Sequence, residues 1–140
     1  MNLKQAINDG ERLVGTNEKD ILIGYDKSDH LVGLSADDIL TGQGVRDHLS
    51  GGDGDDHLWG GFDDDLLEGG NGADTFVVGF GVDVIVDFNP NQGDKIAMRS
   101  SDIGFQQVGD NLNIIANSGE ATAIVLNTNT ESINSYTNLI

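Results

Sequence analysis

Aspartate recurs every nine residues from Asp20 to Asp83, and this period constrains the fold more than any other feature of the chain. The series is Asp20, Asp29, Asp38, Asp47, Asp56, Asp65, Asp74 and Asp83. Two residues after each stands a large apolar residue: Leu22, Leu31, Leu40, Leu49, Leu58, Leu67, Phe76 and Ile85. Five residues before the first seven stands a glycine (Gly15, Gly24, Gly33, Gly42, Gly51, Gly60, Gly69), and Val78 breaks the series before the eighth. Three signature positions held in phase over consecutive units mark a repeat architecture. Each unit reads as a six-residue turn followed by a three-residue strand. Strand side chains alternate between faces, so the central apolar residue points inward and its flanks outward. Glycine in the turn permits positive φ and close backbone packing.

Charge sets the second constraint. The chain has 24 acids against 7 bases, a net charge of −17. Such an excess repels itself in any compact state, so the chain stays partly disordered unless cations neutralise it. Nucleic acid is a poor partner, because phosphate recognition needs clustered Lys and Arg. Anionic membranes are excluded on the same ground. No apolar run approaches the ~20 residues of a membrane span, and Met1 to Leu13 shows no apolar core of a Sec-type leader. Without cysteine there are no disulfides and no thiolate metal sites. The H-E-x-x-H, G-x-S-x-G and Walker A patterns are missing, so the chain is not expected to be an enzyme.

The units GGDGDDHLW (51–59) and GGNGADTFV (69–77) match G-G-x-G-x-D-x-U-x, where U is large and apolar, and GGFDDDLLE (60–68) departs at its fourth position. On these motifs the chain resembles the RTX (repeats-in-toxin) or hemolysin-type calcium-binding nonapeptide-repeat family over residues 15–99. The resemblance implies an all-β fold: a parallel β-roll, a right-handed solenoid with 18 residues per coil, and a C-terminal β cap. Alternate repeats then stack at about the 4.8 Å strand spacing. One edge carries Asp20, Asp38, Asp56 and Asp74, the other Asp29, Asp47, Asp65 and Asp83. The family's Ca²⁺ ions sit between stacked turns. Calcium takes six to eight oxygens at about 2.3–2.6 Å, and all-oxygen donors favour it over Zn²⁺ or Cu²⁺.

Carried over turn by turn, the candidate metal site centres on the turns ending at Asp56 and Asp74, with Gly51, Gly52, Asp53 and Gly54 in one and Gly69, Gly70, Asn71 and Gly72 in the other. The turn with Gly60, Gly61, Asp63 and Asp65 pairs with that of Asp83. Asp38–Asp56 and Asp47–Asp65 follow. Nearer the N-terminus the fourth positions are Glu18, Lys27, Ala36 and Val45, a β-branched Val being poorly suited to positive φ. Lys27 and Arg46 also bring positive charge into turns, so calcium is expected to be weak or absent near Asp20 and Asp29. Six stacked pairs are available, and three to five ions are expected.

The domain reading is an N-terminal capping arm (1–14), the roll (15–99) and a C-terminal cap (100–140). Asp87-Phe88 and Gly93-Asp94-Lys95-Ile96 repeat the motif with two extra residues. Gln107–Ala116 and Ala121–Leu126 read as antiparallel strand segments around the turns Gly109-Asp110-Asn111 and Asn117-Ser118-Gly119. The resemblance implies secretion by the type I route and folding on calcium outside the cell. It extends to the C-terminal rolls of serralysin-like proteases and to the R-modules of alginate epimerases, which makes a glycan-binding accessory module the second reading. An adhesin or ice-binding roll is a third, with only Thr41 and Thr75 on outward repeat positions. His30, His48 and His57 each follow a repeat aspartate, and His30 should stack on His48. They read as exposed strand residues, with metal binding or pH sensing as the alternative. Ile21, Ile23, Ile39, Trp59 and Val77 form an outward apolar face, to be covered by the chain's own termini or by a glycan or protein partner.

Overall fold

The computed structural model describes residues 2–5, 10, 12–98 and 102–136. The strands are β1 (Asn2–Gln5), β2 (Arg12–Val14), β3 (Asp20–Tyr25), β4 (His30–Ser35), β5 (Ile39–Gln43), β6 (His48–Asp53), β7 (His57–Gly61), β8 (Leu66–Asn71), β9 (Thr75–Val78), β10 (Gly81–Ile85), β11 (Lys95–Met98), β12 (Ile103–Val108), β13 (Asn111–Ala116) and β14 (Ala121–Val125). They form two sheets. The first runs β1-β3-β5-β7-β9-β11, and every pairing in it is parallel. The second runs β12-β13-β14-β10-β8-β6-β4-β2.

Successive strands alternate between the sheets, so the chain coils. Within a sheet the register is 18 residues: Leu22 lies beside Leu40, Leu40 beside Leu58, Leu31 beside Leu49, and Leu49 beside Leu67. This is the β-roll expected from the repeat. The inward residues Leu22, Leu31, Leu40, Leu49, Leu58, Leu67, Phe76, Ile85 and Ile96 are fully buried. Burying such a side chain stabilises by about 1.5–3 kcal/mol, so the two stacked columns form the core. Ile96 joins its column from the longer ninth unit, two residues out of phase with the rest.

At the N-terminal end, β1 places Lys4 beside Leu22. A base thus holds the position that leucine holds in later coils, and its ammonium donates to the Val14 carbonyl (2.6 Å). At the other end, β12, β13 and β14 form an antiparallel meander. It does not stand apart as a separate layer: β14 pairs in parallel with β10, with Asp83 beside Ala123 and Ile85 beside Val125. The tail therefore prolongs the second sheet. Helix α1 (Thr130–Tyr136) was not expected, because seven residues are too few to show a helical period against the strand signal. Its Ile133 is buried in the same core. The expected boundary between residues 99 and 100 lies outside the described residues.

Candidate metal centre

Four turns lead from the second sheet into the first: 15–20, 33–38, 51–56 and 69–74. They stack as one edge of the roll. Turns 24–29, 42–47, 60–65 and 78–83 lead back and stack as the second edge. The repeat aspartates close these turns, and all eight are almost fully buried. Asp94, in the ninth unit, extends the first edge and is buried too.

From Asp38 and Asp47 onward, the carboxylates reach toward the preceding coil. On the first edge the amide of Asp20 donates to Asp38 Oδ1 (2.7 Å), Asp38 to Asp56 (2.8 Å), Asp56 to Asp74 (2.9 Å) and Asp74 to Asp94 (2.9 Å). On the second edge Asp29 donates to Asp47 (2.7 Å), Asp47 to Asp65 (2.8 Å) and Asp65 to Asp83 (3.1 Å). One oxygen of each acceptor is thereby satisfied. The other is satisfied in Asp83 by the Gly79 amide (3.1 Å) and in Asp94 by the Asn89 amide (2.8 Å), but Oδ2 of Asp38, Asp47, Asp56, Asp65 and Asp74 is buried without a hydrogen-bond partner. A buried carboxylate oxygen with no partner is costly and demands either a proton or a cation.

The surroundings of these groups make the same demand. Burial, partly offset by the backbone hydrogen bonds and reinforced by neighbouring aspartates, pushes Asp47 and Asp56 up to about 6, Asp74 to about 7 and Asp65 to about 8. Asp83 is likewise pushed up by burial, to about 6. Asp38 and Asp94 are also raised, with burial the largest cause. Asp20 differs. Burial opposes its charge as well, but hydrogen bonds from Thr16 and Asn2 and the nearby Lys4 bring it below the ordinary value.

The two roles expected of the turn glycines fall on different positions. Gly51, Gly60 and Gly69, at the first position, do not have positive φ. A Cβ on any of them would collide with the Oδ2 of Asp56, Asp65 or Asp74, so glycine there makes room for the carboxylate. The second and fourth positions are the left-handed ones: Gly52 (φ 108°) and Gly54 (φ 132°) in turn 51–56, Gly70 (97°) and Gly72 (115°) in turn 69–74. Their Cα atoms lie so close to the preceding turn that a Cβ on Gly70 or Gly72 would strike the carbonyl of Gly52 or Gly54. Turn 60–65 has the same form with Gly61 (109°) and Asp63 (64°), as has turn 33–38 with Leu34 (84°) and Ala36 (75°). Tyr25 (88°) and Gln43 (79°) take positive φ at the second position alone. A non-glycine residue held there costs roughly 1–2 kcal/mol. Val45 is not in the left-handed region, as its branching leads one to expect.

A second ladder went unassigned in the sequence. Asp37, Asp55 and Asp64, at the fifth position, reach forward instead of back. Asp37 Oδ1 accepts from the Asp55 amide, Asp55 Oδ1 from Ala73 and Asp64 Oδ1 from Val82, each at 2.8 Å. Three gaps between stacked turns are thus approached by carboxylates from both sides: Asp37 with Asp56, Asp55 with Asp74, and Asp64 with Asp83. The doublets Asp37-Asp38, Asp55-Asp56 and Asp64-Asp65 were the available signal. Asp87 also enters, accepting from the amides of Gly69 (2.8 Å) and Gly70 (2.7 Å). Asp53 and Asn71 stand outside these ladders, exposed and bonded side chain to side chain (2.8 Å).

Among the described residues, no three His, Cys, Asp or Glu side chains converge as a ready-made metal cluster. Any ion in a gap must therefore draw on backbone carbonyls as well as two carboxylates. Such all-oxygen donors suit a hard cation such as Ca²⁺. His30 and His48 do stack, with ring centroids 4.5 Å apart and planes 3° from parallel. Lone pairs lie in the ring plane, so parallel rings do not converge on one metal. On the outer face of the first sheet, Ile39 and Trp59 remain 38% and 43% exposed, and Ile21, Ile23 and Val77 are half-buried. The tail joins the other sheet, so the expected cover from the C-terminus does not lie over this face among the described residues. No described helix is long and apolar enough to cross a membrane.

The model of the RTX calcium-binding nonapeptide repeat matches residues 14–49, 41–76 and 50–85, together just over half of the chain. No curated protein matches it. Among solved structures, the AlgE6R3 subunit of the Azotobacter vinelandii mannuronan C5-epimerase is similar with TM-score 0.53 and 21% identity, covering 95% of this chain and 78% of that one. The extracellular lipase LipA from Serratia marcescens is similar with TM-score 0.50 and 14% identity, covering 94% of this chain. This chain spans only 38% of the lipase. At these identities the likeness shows the shared roll.

Proposed function

Since the chain belongs to the RTX calcium-binding nonapeptide-repeat family, we propose that it is a non-catalytic module whose folding is driven by calcium. One observation carries this reading: Oδ2 of Asp38, Asp56 and Asp74 on the first edge and of Asp47 and Asp65 on the second is buried without a partner. Calcium, when bound, supplies the positive charge that those oxygens lack and ties one coil to the next. Asp56 and Asp74 hold the central first-edge positions, with Asp37 and Asp55 completing their gaps from the other side. Asp83 and Asp64 hold the corresponding gap on the second edge. The glycines at first, second and fourth positions keep carboxylates and carbonyls within reach of one another.

The unfolded chain at low calcium is a self-repelling polyanion suited to passage through a secretion channel. Outside the cell, millimolar calcium binds the folded state alone and stabilises it by mass action. Type I export followed by calcium-driven folding is the cellular role that fits this chemistry. Residues 1–14 and 100–140 serve to close the two ends of the roll: Lys4 sets a charge in the core column at one end, and the meander continues the second sheet at the other. A polyanionic glycan is the less favoured ligand, because 7 bases are set against 24 acids and the net charge is −17.

Far-UV circular dichroism of chelator-stripped protein, titrated with CaCl₂ and in parallel with MgCl₂, tests this reading. A cooperative gain of β signal with calcium alone is expected. A chain fully folded without calcium and unmoved by it refutes the proposal.

A further inference from the structure

The gap between turns 42–47 and 60–65 is built differently from its neighbours. Its fifth-position residue is Arg46, where the gaps after Asp37, Asp55 and Asp64 have a carboxylate. The guanidinium of Arg46 lies 3.5 Å from Asp64 Oδ2. Asp64 is the fifth-position acid of the next turn on the same edge, and its Oδ1 accepts from the Val82 amide across the following gap (2.8 Å). One carboxylate therefore faces two ways, with Arg46 on one side and the Asp83 turn on the other. Among the described residues, no base pairs in this way with Asp37 or Asp55.

We propose that Arg46 is a resident counter-ion: it stands in place of a calcium ion between turns 42–47 and 60–65, and by holding Asp64 it weakens calcium binding at the Asp64–Asp83 gap. Two physical effects combine. The Arg46 charge repels a divalent cation a few ångströms away, to an extent that solvent moderates, since its side chain is 75% exposed and that of Asp64 49%. An ion pair on Asp64 must also be loosened before that carboxylate commits to a metal. The second edge then fills at higher calcium than the first, and the roll responds in two steps.

The inference rests on calcium being the ligand, and its test separates the two. Calcium affinities would be measured by competition with a chromophoric chelator for the wild type, Arg46→Gln, Arg46→Lys and Asp83→Asn, and for Arg46→Gln combined with Asp83→Asn. Removing the charge should tighten the weakest step by about two- to fivefold, the scale of an exposed ion pair. The tighter steps should stay unchanged, Arg46→Lys should keep the wild-type value, and the gain should vanish in the Asp83→Asn background. Damage to the fold would weaken binding, so a tightening is not a structural side effect. An unchanged or weaker last step in Arg46→Gln, or a gain that survives Asp83→Asn, overturns the role of Arg46. Absence of calcium binding in the wild type overturns the reading beneath it.

Discussion

The two edges of the roll share a period but not a chemistry. On the first edge, turns 33–38, 51–56 and 69–74 all take positive φ at both their second and fourth positions, and two of their gaps hold facing carboxylates. On the second edge only turn 60–65 has that form; 24–29 and 42–47 bend at one position, and Arg46 sits where an acid would be. The ladder also ends sooner there, because Ala123 follows Asp83 in the sheet, whereas Asp94 continues the first edge. A nine-residue repeat thus specifies the coil, while residues between the signature positions give each gap its own charge and backbone form.

The largest break in this comparison should come from Asp74→Asn set against Asp47→Asn. Asp74 shares the central first-edge gap with Asp55, and Asp47 faces a turn whose fifth residue is Ser28. Where calcium stands at a hundred times its dissociation constant, losing one ion removes about 2.7 kcal/mol. Thermal melts in calcium should show that loss for Asp74→Asn and little for Asp47→Asn; equal losses would erase the distinction between edges.

Acid should replace calcium. The folded-state values of Asp56, Asp74 and Asp65, about 6, 7 and 8, lie above the ordinary 3.8. The fold therefore binds more protons than the unfolded chain between pH 4 and 8, and calcium-free stability falls as pH rises through that window. Melts of chelator-stripped protein should give a higher Tm at pH 5 than at pH 8. With calcium present the trend should weaken or reverse, because metal and proton compete for the same oxygens. A calcium-free Tm that rises with pH contradicts the picture of uncompensated buried charge.

The smallest effect sharpens the comparison from the strained side. Leu34 and Gln43 hold positive φ at the second position, where later turns have glycine. Leu34→Gly and Gln43→Gly should each stabilise the calcium-loaded roll by about 0.5–1 kcal/mol in denaturant melts, the strain relieved exceeding glycine's added chain entropy. Destabilisation by either would mean that the turn does not require the left-handed conformation.

How far the sequence could be read follows from what repeats. The coil, its 18-residue register, the inward column and the stacked aspartates all depend on periodic positions, and all were readable in advance. The stacking of His30 on His48 followed from the same register. The forward-reaching Asp37, Asp55 and Asp64 were obscured because the fifth position is Lys19, Ser28, Arg46 and Ala73 in other turns. Glycine's two roles were both expected, but the sequence does not show that Gly51 makes room for the Asp56 carboxylate while Gly52 and Gly54 supply the positive φ. In the tail the pattern has no period to propagate. Its strands were visible as alternation, but the parallel docking of β14 on β10 is a contact across some forty residues that no local signal encodes.

The central claim is that calcium closes the gaps of the first edge, and amide hydrogen exchange at the ladder reports on it most directly. The amides of Asp38, Asp56 and Asp74 donate to the carboxylates of the next coil, so their protection measures whether coils are joined. At pH 7.5, calcium should raise protection at these amides by orders of magnitude, and at a lower calcium concentration than at Asp47 and Asp65 on the second edge. Equal protection with and without calcium would contradict the account.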